Sequence, residues 1–334
     1  MRAGPARILD VLRRSGDAAC SGESLSKRFG VSRAQIWKDV QILRDRGYVI
    51  HALAGDGYRL EQTPDRLYPE EILEGLRTRW LARDIRYYDT TDSTNRVALE
   101  LARSGADHGT TVVAEGQTAG RGRLGRSFYS PPYLNLYTSV VLRPRTTTAE
   151  APAWILASAV AVADTIAASL DEPSAVEIKW PNDVLLGGRK TSGILMELGA
   201  EATRVEYLVL GIGVNLNVDR DSFPEEFRAS ATSLASHSGS RVDRIRFAQT
   251  LYGTLESVLD SCADLGFEGV RGRFSDHFKL RDREIRVTQL DGESQRGTVL
   301  GIDSHGALRL ATPDGSEIRV IAGDVTVAKE KQQA

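Results

Sequence analysis

The sequence has few of the residues that form disulfides or bind structural metals. Its 334 residues include two cysteines and five histidines. Cys20 and Cys262 lie far apart and show no CxxC spacing, which argues against a disulfide scaffold or a structural zinc site and favours a reducing compartment. The histidines form no cluster at ligand spacing. These absences predict a cytoplasmic protein whose histidines are structural or exposed.

Long apolar runs and several catalytic signatures are missing as well. The longest apolar run, residues 154–170, is interrupted by Asp164, so it is predicted to be a buried globular helix and not a membrane span. The N-terminus lacks the uninterrupted apolar segment of a signal peptide. The chain also has no GxxxxGKS/T phosphate loop, no HExxH and no GxSxG motif. The sequence therefore excludes a P-loop NTPase, and no membrane partner is expected.

Positive and negative charges nearly balance over the whole chain, but they are unevenly distributed along it. Forty-three Lys and Arg residues oppose 45 Asp and Glu residues, a net charge of −2, so the molecule as a whole is not a general polyanion binder. Residues 1–62 hold 11 basic and 7 acidic residues, a local charge of +4. The length predicts two or three domains, and the 41% hydrophobic content is enough to bury a core.

Residues 1–62 show the pattern of three helices followed by a β-hairpin. Ser21 and Ser32 are predicted to cap the second and third helices, and Gly30 to end the second. Residues 48–50 and 57–60 are predicted strands around a turn at residues 54–57. This order is typical of a winged helix-turn-helix domain.

The second helix of a helix-turn-helix unit enters the DNA major groove. Basic and amide side chains near its start suit phosphates and base edges. The alternative is a helical protein-interaction module that binds no DNA. The predicted DNA-binding residues are Gly22, Ser32, Arg33, Gln35, Lys38 and Gln41.

The rest of the chain is predicted to form two further domains. A linker over residues 63–70 precedes a region, residues 71–275, in which strand and helix patterns are mixed. Over residues 276–330, short strands alternate with turns such as Asp291-Gly292, which favours a small β-barrel. The predicted class is therefore a multidomain α+β protein with an N-terminal winged helix.

Residues 120–126 combine three glycines with three arginines. Glycine opens conformational space, so the segment is predicted to be a mobile loop and not a helix or strand. Guanidinium groups present planar donor forks that suit phosphate and carboxylate. The alternatives are a solvated surface turn or a nucleic-acid-binding tail. With the other motifs of the middle region, the segment predicts a loop that closes over an anion.

Four further clusters point to nucleotide chemistry. Polar side chains at residues 93–95 stand at a predicted strand-to-helix junction, where a small polar ring or an anion could be held. Lys179 and Asp183 flank a rigid turn, and an aspartate beside cations suits Mg²⁺ bridging phosphates. Lys190, one of only seven lysines, follows a glycine turn. Gly211 and Gly213 end a predicted buried strand and allow a ligand close to the backbone.

These motifs, read in order, resemble the motif set of biotin protein ligases. The winged helix makes the chain similar to the bifunctional ligases of that family that also repress the biotin operon. The resemblance covers nearly the whole chain. One departure is Phe128, which follows the loop where the family often has tryptophan; its ring can still stack on adenine without an indole N–H. The motifs are Ser93-Thr94-Asn95, Gln117, Gly120-Arg121-Gly122-Arg123-Leu124-Gly125-Arg126, Lys179-Trp180-Pro181-Asn182-Asp183, Arg189-Lys190-Thr191-Ser192-Gly193-Ile194 and Gly211-Ile212-Gly213-Val214-Asn215.

The resemblance implies a central α/β domain of the biotin/lipoate ligase type, a C-terminal SH3-like barrel and a two-step reaction. Biotin and ATP would give biotinyl-5′-AMP and pyrophosphate with Mg²⁺, and a lysine of a carboxylase carrier domain would then take the biotin. The implied catalytic residues are Lys190, Arg123 and Asp183, the last also the metal ligand. The implied biotin-binding residues are Ser93, Thr94, Asn95, Gln117, Arg121, Gly122, Arg123 and Lys190. The implied ATP-binding residues are Arg123, Arg126, Phe128, Lys179, Asn182, Asp183 and Asn215.

Repression would also require operator DNA and a homodimer promoted by the adenylate, for which Ile194 and Val209 are a candidate edge. Three alternatives stay open at this point. The first is a monofunctional ligase whose helix-turn-helix does not regulate. The second is a biotin-sensing DNA-binding regulator without catalysis. The third is a lipoate ligase, which shares the fold.

Overall fold

The computed structural model describes residues 4–53, 56–288, 293–321 and 323–327. The chain divides into two compact units, Met1–Arg66 and Leu67–Ala334. In the described part of the chain, no helix is long and apolar enough to cross a membrane. The predicted turns at residues 54–57 and 291–292 lie partly or wholly outside the described residues.

The first unit is the predicted winged helix-turn-helix. Its apolar core is formed by residues that include Ile8, Leu9, Ile36, Val40 and Leu43, each 0% exposed. The elements are α1 (Pro5–Arg14), α2 (Gly22–Phe29), α3 (Arg33–Asp45), β1 (Val49–Leu53) and β2 (Gly57–Gln62). The two strands pair antiparallel.

Local side-chain chemistry sets the helix ends of this unit. The Ser21 hydroxyl accepts the Ser24 N–H at 3.0 Å, and the Ser32 hydroxyl accepts the Gln35 N–H at 3.1 Å. Gly30 ends α2 in the left-handed region, with φ of 65°. Both predicted caps and the predicted glycine stop are confirmed.

The second unit is built on a seven-stranded mixed sheet with the order β3-β4-β5-β9-β8-β7-β6. Strands β3 and β4 are parallel, and the other neighbours are antiparallel. The strands are β3 (Ile85–Thr91), β4 (Thr111–Gln117), β5 (Leu136–Leu142), β6 (Val176–Lys179), β7 (Asp183–Leu186), β8 (Arg189–Glu201) and β9 (Arg204–Val214). The helices are α4 (Pro69–Gly75), α5 (Thr94–Arg103), α6 (Ala151–Ala167), α7 (Glu225–Arg228), α8 (Leu234–Ser238), α9 (Arg244–Leu265) and α10 (Arg271–His277).

Helices cover the two faces of this sheet unequally. Helices α6 and α9 pack together over one face and enclose the main core. Helix α5 covers part of the other face, where Ala98 and Leu99 meet Val112, Val141 and Val209 in a smaller apolar cluster. Since successive side chains of a strand point to opposite faces, this arrangement leaves the far end of the second face open beside α5.

The C-terminal part of this unit is a five-stranded antiparallel sheet with the order β13-β12-β11-β10-β14. The predicted β-barrel region is therefore confirmed as a small antiparallel sheet. Its last strand was not predicted, and the expected fraying of residues 329–334 lies outside the described residues. The strands are β10 (Glu284–Thr288), β11 (Ser294–Ile302), β12 (Leu308–Ala311), β13 (Glu317–Val320) and β14 (Asp324–Val327).

The predicted dimer edge at Ile194 and Val209 is wrong. Strands β8 and β9 are interior strands of the sheet, with a neighbour on each side. The two side chains are 1% and 0% exposed. Their apolar character reflects burial under helices and not a free interface.

Candidate active site

A cavity of about 530 Å³ opens where the uncovered sheet face meets the start of α5. Every residue predicted for catalysis, biotin or ATP lines this one cavity. The sequence had placed these residues in separate motifs, so their convergence is a finding of the structure. They are Ser93, Thr94, Asn95, Gln117, Arg121, Gly122, Arg123, Arg126, Phe128, Lys179, Asn182, Asp183, Lys190 and Asn215.

The start of α5 forms one wall and is held by a buried hydrogen-bond network. Gln117 Oε1 accepts the Thr94 N–H at 2.9 Å. The Ser139 hydroxyl lies 2.9 Å from both Thr94 Oγ1 and Asn95 Oδ1. Ser93 occupies the N-cap position of α5 without a side-chain cap bond. The network fixes the end of β4 against α5.

The glycine–arginine loop contains local backbone structure that was not predicted. Arg121 and Ser127 form a β-bridge, and the Gly122 N–H donates to the Arg126 carbonyl at 2.7 Å. A short 3₁₀ turn spans Arg123–Gly125. Leu124 lies in this turn with φ of 58°, a conformation that a side-chain-bearing residue rarely adopts. The prediction that this segment contains no helix or strand is therefore wrong, while its predicted mobility stays a prediction.

The three loop arginines differ in their partners. Arg126 forms an ion pair with Asp324 at the start of β14. Arg121 Nη1 lies 4.0 Å from Glu197 Oε1.

Arg123 instead donates to neutral oxygens, at 2.9 Å to Asn182 Oδ1 and at 3.5 Å to the Gly323 carbonyl. Burial lowers the pKa of Arg123 below its ordinary value, although Asp324 and Asp183 act in the opposite direction. Arginine stays protonated at neutral pH, so Arg123 is a desolvated cation whose contacts leave it available to an anion.

Lys190 and Asp183 form an ion pair across the neighbouring strands β7 and β8. Lys190 Nζ lies 2.6 Å from Asp183 Oδ1. The Lys190 N–H donates to Ser230 O at 2.7 Å, and its carbonyl accepts the Thr232 N–H at 2.9 Å. The strand is thus fixed on one edge by the segment after β9, while the ammonium group faces the cavity.

Glycines in β8 and β9 make room for the ring of Phe128. A Cβ atom at Gly213 would lie 2.6 Å from that ring, and one at Gly193 would lie 3.4 Å from it. The rings of Phe128 and Tyr137 meet edge to face, with centroids 6.4 Å apart. The predicted close approach at Gly213 is therefore an approach by an aromatic side chain of the same protein.

Two residues on the other side of the cavity are held by amide hydrogen bonds. Asn182 Nδ2 donates to the Ile194 carbonyl at 2.9 Å while its oxygen accepts from Arg123. Asn215 is 4% exposed and donates to the Thr232 carbonyl at 3.2 Å.

Several lining residues were missed by the sequence reasoning. Asp324 belongs to the C-terminal sheet and carried no local signal. Glu197 was also missed; it does not line the cavity but lies two residues beyond the lining residue Leu195 on the same face of β8. The other missed lining residues are Ser127, Tyr129, Leu185, Gly188, Leu195, Phe223, Phe227, Ser230 and Ala231.

The predicted DNA-binding residues lie in the first unit. Arg33 and Lys38 are exposed on α3, and Gly22 begins α2. Gln35 donates its amide to Asp39 Oδ1 at 3.0 Å, so its side chain is engaged within the helix. Trp37, which was not predicted, is 54% exposed on α3. Among the described residues, no group of three or more acidic, histidine or cysteine side chains could hold a metal.

Family profiles match three parts of the chain. An HTH domain matches residues 6–59, the biotin/lipoate A/B protein ligase family matches residues 87–215, and a biotin protein ligase C-terminal domain matches residues 282–327. The central match contains the motif clusters from Ser93 to Asn215, and the last contains Asp324.

Relatives and solved structures agree with these matches. The bifunctional ligase/repressor BirA of Bacillus subtilis is 35% identical, over 95% of this chain and 97% of that protein. BirA of Escherichia coli is 32% identical, over 87% of each. A biotin protein ligase from Aquifex aeolicus, solved with biotin and ATP, is 25% identical with a TM-score of 0.63 and covers 74% of this chain and 100% of its own. The chain belongs to the biotin protein ligase family, among its bifunctional ligase/repressors.

Proposed function

We propose that the chain joins biotin to ATP in this cavity and then transfers biotin to a lysine of a carboxylase carrier domain. The observation that carries the proposal is the convergence of loop arginines, a lysine–aspartate pair and a buried polar wall on one cavity. Its family membership identifies the chain as a biotin ligase. The same membership is the reason for assigning it a repressor activity.

In the first step, a carboxylate oxygen of biotin attacks the α-phosphorus of ATP. The new oxygen–phosphorus bond forms as the bond from the α-phosphorus to the bridging oxygen breaks, and pyrophosphate leaves. A carboxylate is already ionised at neutral pH, so no general base is needed. The site must align two anions and neutralise them, which is the role proposed for Arg123 and Lys190.

The two substrates are proposed to occupy opposite ends of the cavity, with Lys190 between them. The polar wall at the start of α5 would hold biotin through Ser93, Thr94, Asn95, Gln117, Arg121, Gly122 and Arg123. The ATP end is proposed to consist of Arg126, Phe128, Lys179, Asn182, Asp183 and Asn215.

Asp183 is proposed as the protein ligand of Mg²⁺. Its carboxylate lines the cavity and its side chain is 20% exposed. Mg²⁺ is commonly held by one or two carboxylates together with phosphate oxygens and water, so this donor fits. When bound, the ion would supply charge neutralisation to the phosphates.

In the second step, the amine of the acceptor lysine attacks the acyl carbon of biotinyl-AMP. An amide bond forms, AMP leaves, and the amine loses a proton. Asp183 is proposed to help remove that proton, since its carboxylate faces the cavity beside Lys190.

Adenylation should depend on the charge of Arg123. We expect Arg123→Ala to lower kcat/KM for biotinyl-AMP formation by about 10²-fold, because a preorganised donor to the developing charge is removed. Steady-state release of labelled pyrophosphate measures this. Arg145→Ala is a suitable control because Arg145 is exposed in the loop after β5. Equal rates for wild type and Arg123→Ala would remove this residue from the mechanism.

The N-terminal unit is proposed to bind operator DNA through Gly22, Ser32, Arg33, Gln35, Lys38 and Gln41. Binding to the DNA upstream of the protein's own gene, with and without biotinyl-AMP, separates a working repressor from a ligase that does not regulate. Binding promoted by the adenylate supports repression, and binding that ignores the adenylate supports the alternative.

Lys38 should contribute to DNA binding by contacting a phosphate group and not by recognising a base. We expect Lys38→Ala to weaken binding by a similar factor for operator and random DNA, and to reduce the dependence of log K on log salt by about one unit. Titrations at several salt concentrations measure this slope. Lys27→Ala is the control, because Lys27 on α2 is paired with Glu23 at 2.7 Å. An unchanged slope would contradict a phosphate contact.

The domain boundaries, the homodimer and the cytoplasmic location stay predictions. We propose a DNA-binding domain at residues 1–62, a linker at 63–70, a catalytic domain at 71–275 and a C-terminal barrel at 276–330. The division between Arg66 and Leu67 supports the first boundary to within a few residues. Sedimentation with and without biotinyl-AMP tests the proposed ligand-promoted dimer.

The experiment that tests the ligase function is incubation with biotin, radiolabelled ATP and Mg²⁺. Labelled biotinyl-AMP and pyrophosphate are expected. Biotin binding without product would favour a non-catalytic sensor. Product with lipoate but not with biotin would move the substrate assignment to lipoate.

A further inference from the structure

We infer that Glu197 is a positioning residue for the biotin end of the cavity, holding both the glycine–arginine loop and the start of α5. Glu197 belongs to none of the motifs identified in the sequence. The inference deepens the proposed function and rests on it for the identity of the substrate.

The strand register places Glu197 on the cavity face. On β8, Gly193 and Leu195 line the cavity, and Glu197 follows at the same two-residue spacing. Glu197 stands opposite Val209 on β9, whose side chain packs under α5. The carboxylate therefore rises from the sheet directly beside the start of that helix.

One carboxylate oxygen of Glu197 lies at the end of the hydrogen-bond network in the cavity wall at the start of α5. Glu197 Oε2 accepts Asn95 Nδ2 at 2.8 Å, and Asn95 Oδ1 faces the Ser139 hydroxyl at 2.9 Å. Through Ser139 and Thr94 the network continues to Gln117. A carboxylate only accepts hydrogen bonds, so it sets the orientation of the Asn95 amide and of the side chains that follow.

The other oxygen faces the loop. Glu197 Oε1 lies 4.0 Å from Arg121 Nη1, which is the outer limit of an ion pair. The Arg121 side chain is 55% exposed and that of Glu197 is 31% exposed. At this range the carboxylate attracts the guanidinium without a hydrogen bond, and this attraction favours a position of the loop beside the wall.

A second cation near Glu197 lies outside the cavity. The pKa of Arg103 is raised, first by its hydrogen bond to Tyr207 and to a smaller extent by Glu197. Arg103 is the last residue of α5. It gives a matched comparison, because the charge of Glu197 acts on it while it does not belong to the loop.

The test separates the two contacts of the carboxylate. Glu197→Gln keeps an acceptor oxygen for Asn95 and removes the charge that attracts Arg121, whereas Glu197→Leu removes both. We expect Glu197→Gln to raise KM for biotin about fivefold with kcat within twofold of wild type, as for a partly exposed ion pair that acts on binding alone. We expect Glu197→Leu to raise KM further.

A double-mutant cycle identifies the partner. The effect of Glu197→Gln should disappear in an Arg121→Ala background and persist in an Arg103→Ala background. Glu201→Gln, which removes an exposed carboxylate at the end of β8, is expected to behave as wild type. A general loss of structure would instead act equally in both backgrounds and would lower kcat, either of which overturns the inference.

A second readout needs no substrate. Trypsin should cut the loop after its arginines about fivefold faster in unliganded Glu197→Gln than in unliganded wild type. Equal cleavage rates overturn the inference even if the wild-type protein makes biotinyl-AMP. Faster cleavage in a protein that makes no biotinyl-AMP would instead uphold the loop contact and reject the proposed function.

Discussion

Replacing Lys190 by alanine should lower the rate of biotinyl-AMP formation by about 10³-fold, the upper range for loss of one preorganised charge at a reacting centre. Its ammonium group lies 2.6 Å from Asp183 and faces the cavity between the proposed biotin and ATP ends. The first step brings a carboxylate toward a phosphate, so the cation is needed most when the two anions are closest. Rapid-quench measurement of adenylate formation with saturating substrates isolates this effect on kcat.

The control for this prediction is Lys279→Ala, which removes an exposed lysine near the end of α10, outside the cavity lining. Lys190→Arg keeps the charge but changes its shape, and should recover only part of the activity. Biotin binding by Lys190→Ala, measured by calorimetry, should be weakened far less than adenylation. If Lys190→Ala formed biotinyl-AMP at a rate within tenfold of the wild-type rate, the central role proposed for Lys190 would be wrong.

Features that depend on a few neighbouring residues could be predicted from the sequence. A serine cap or a glycine stop acts within three or four residues, which is why the ends of α2 and α3 were predicted correctly at Ser21, Gly30 and Ser32. The motif residues that line the cavity could also be identified from the sequence, because each lies at the end of a strand or in a glycine-containing turn. Their assembly around one space depends on strand order, which no single motif contains.

What could not be predicted is the pairing of charges over long separations in the chain. The sequence analysis named no carboxylate partner for any of the three loop arginines, yet Arg126 meets Asp324 and Arg121 faces Glu197. Only Arg123 has neutral oxygens as its closest partners. The difference arises because β8 and β14 bring carboxylates to two of the three positions.

Arg244 is the clearest case of a charge whose place the sequence could not indicate. It begins an amphipathic helix, where an arginine is normally solvated, but its side chain is 0% exposed. Its Nη1 donates to Glu115 Oε2 at 2.8 Å, and Glu115 is also 0% exposed. Glu115 Oε1 accepts the N–H of Leu67, the first residue of the larger unit, at 2.7 Å. The pair therefore joins α9, β4 and the start of that unit.

Replacing Arg244 by methionine should lower the free energy of unfolding of the larger unit by about 3–5 kcal/mol, because the Glu115 carboxylate would remain buried without this cation. The loss of the cation, and not of volume, is the cause, since methionine fills much of the same space. Urea unfolding followed by tryptophan fluorescence measures the change. In a Trp37→Phe background the remaining tryptophans all belong to the larger unit, so the signal reports on that unit alone.

The matched control is Arg246→Met, two residues further along α9, where the side chain is exposed and the change should stay within about 0.5 kcal/mol. Adding Glu115→Gln to Arg244→Met should recover part of the loss, because a neutral amide is cheaper to bury than a carboxylate and its oxygen can still accept the Leu67 N–H. A double variant as unstable as Arg244→Met alone would show that lost packing, and not the loss of the cation beside Glu115, causes the destabilisation. Glu115 lies two residues before Gln117 on β4. We therefore also expect Arg244→Met to weaken biotin binding under conditions in which the unit is still folded. The buried pair would then support the polar wall of the cavity as well as the fold.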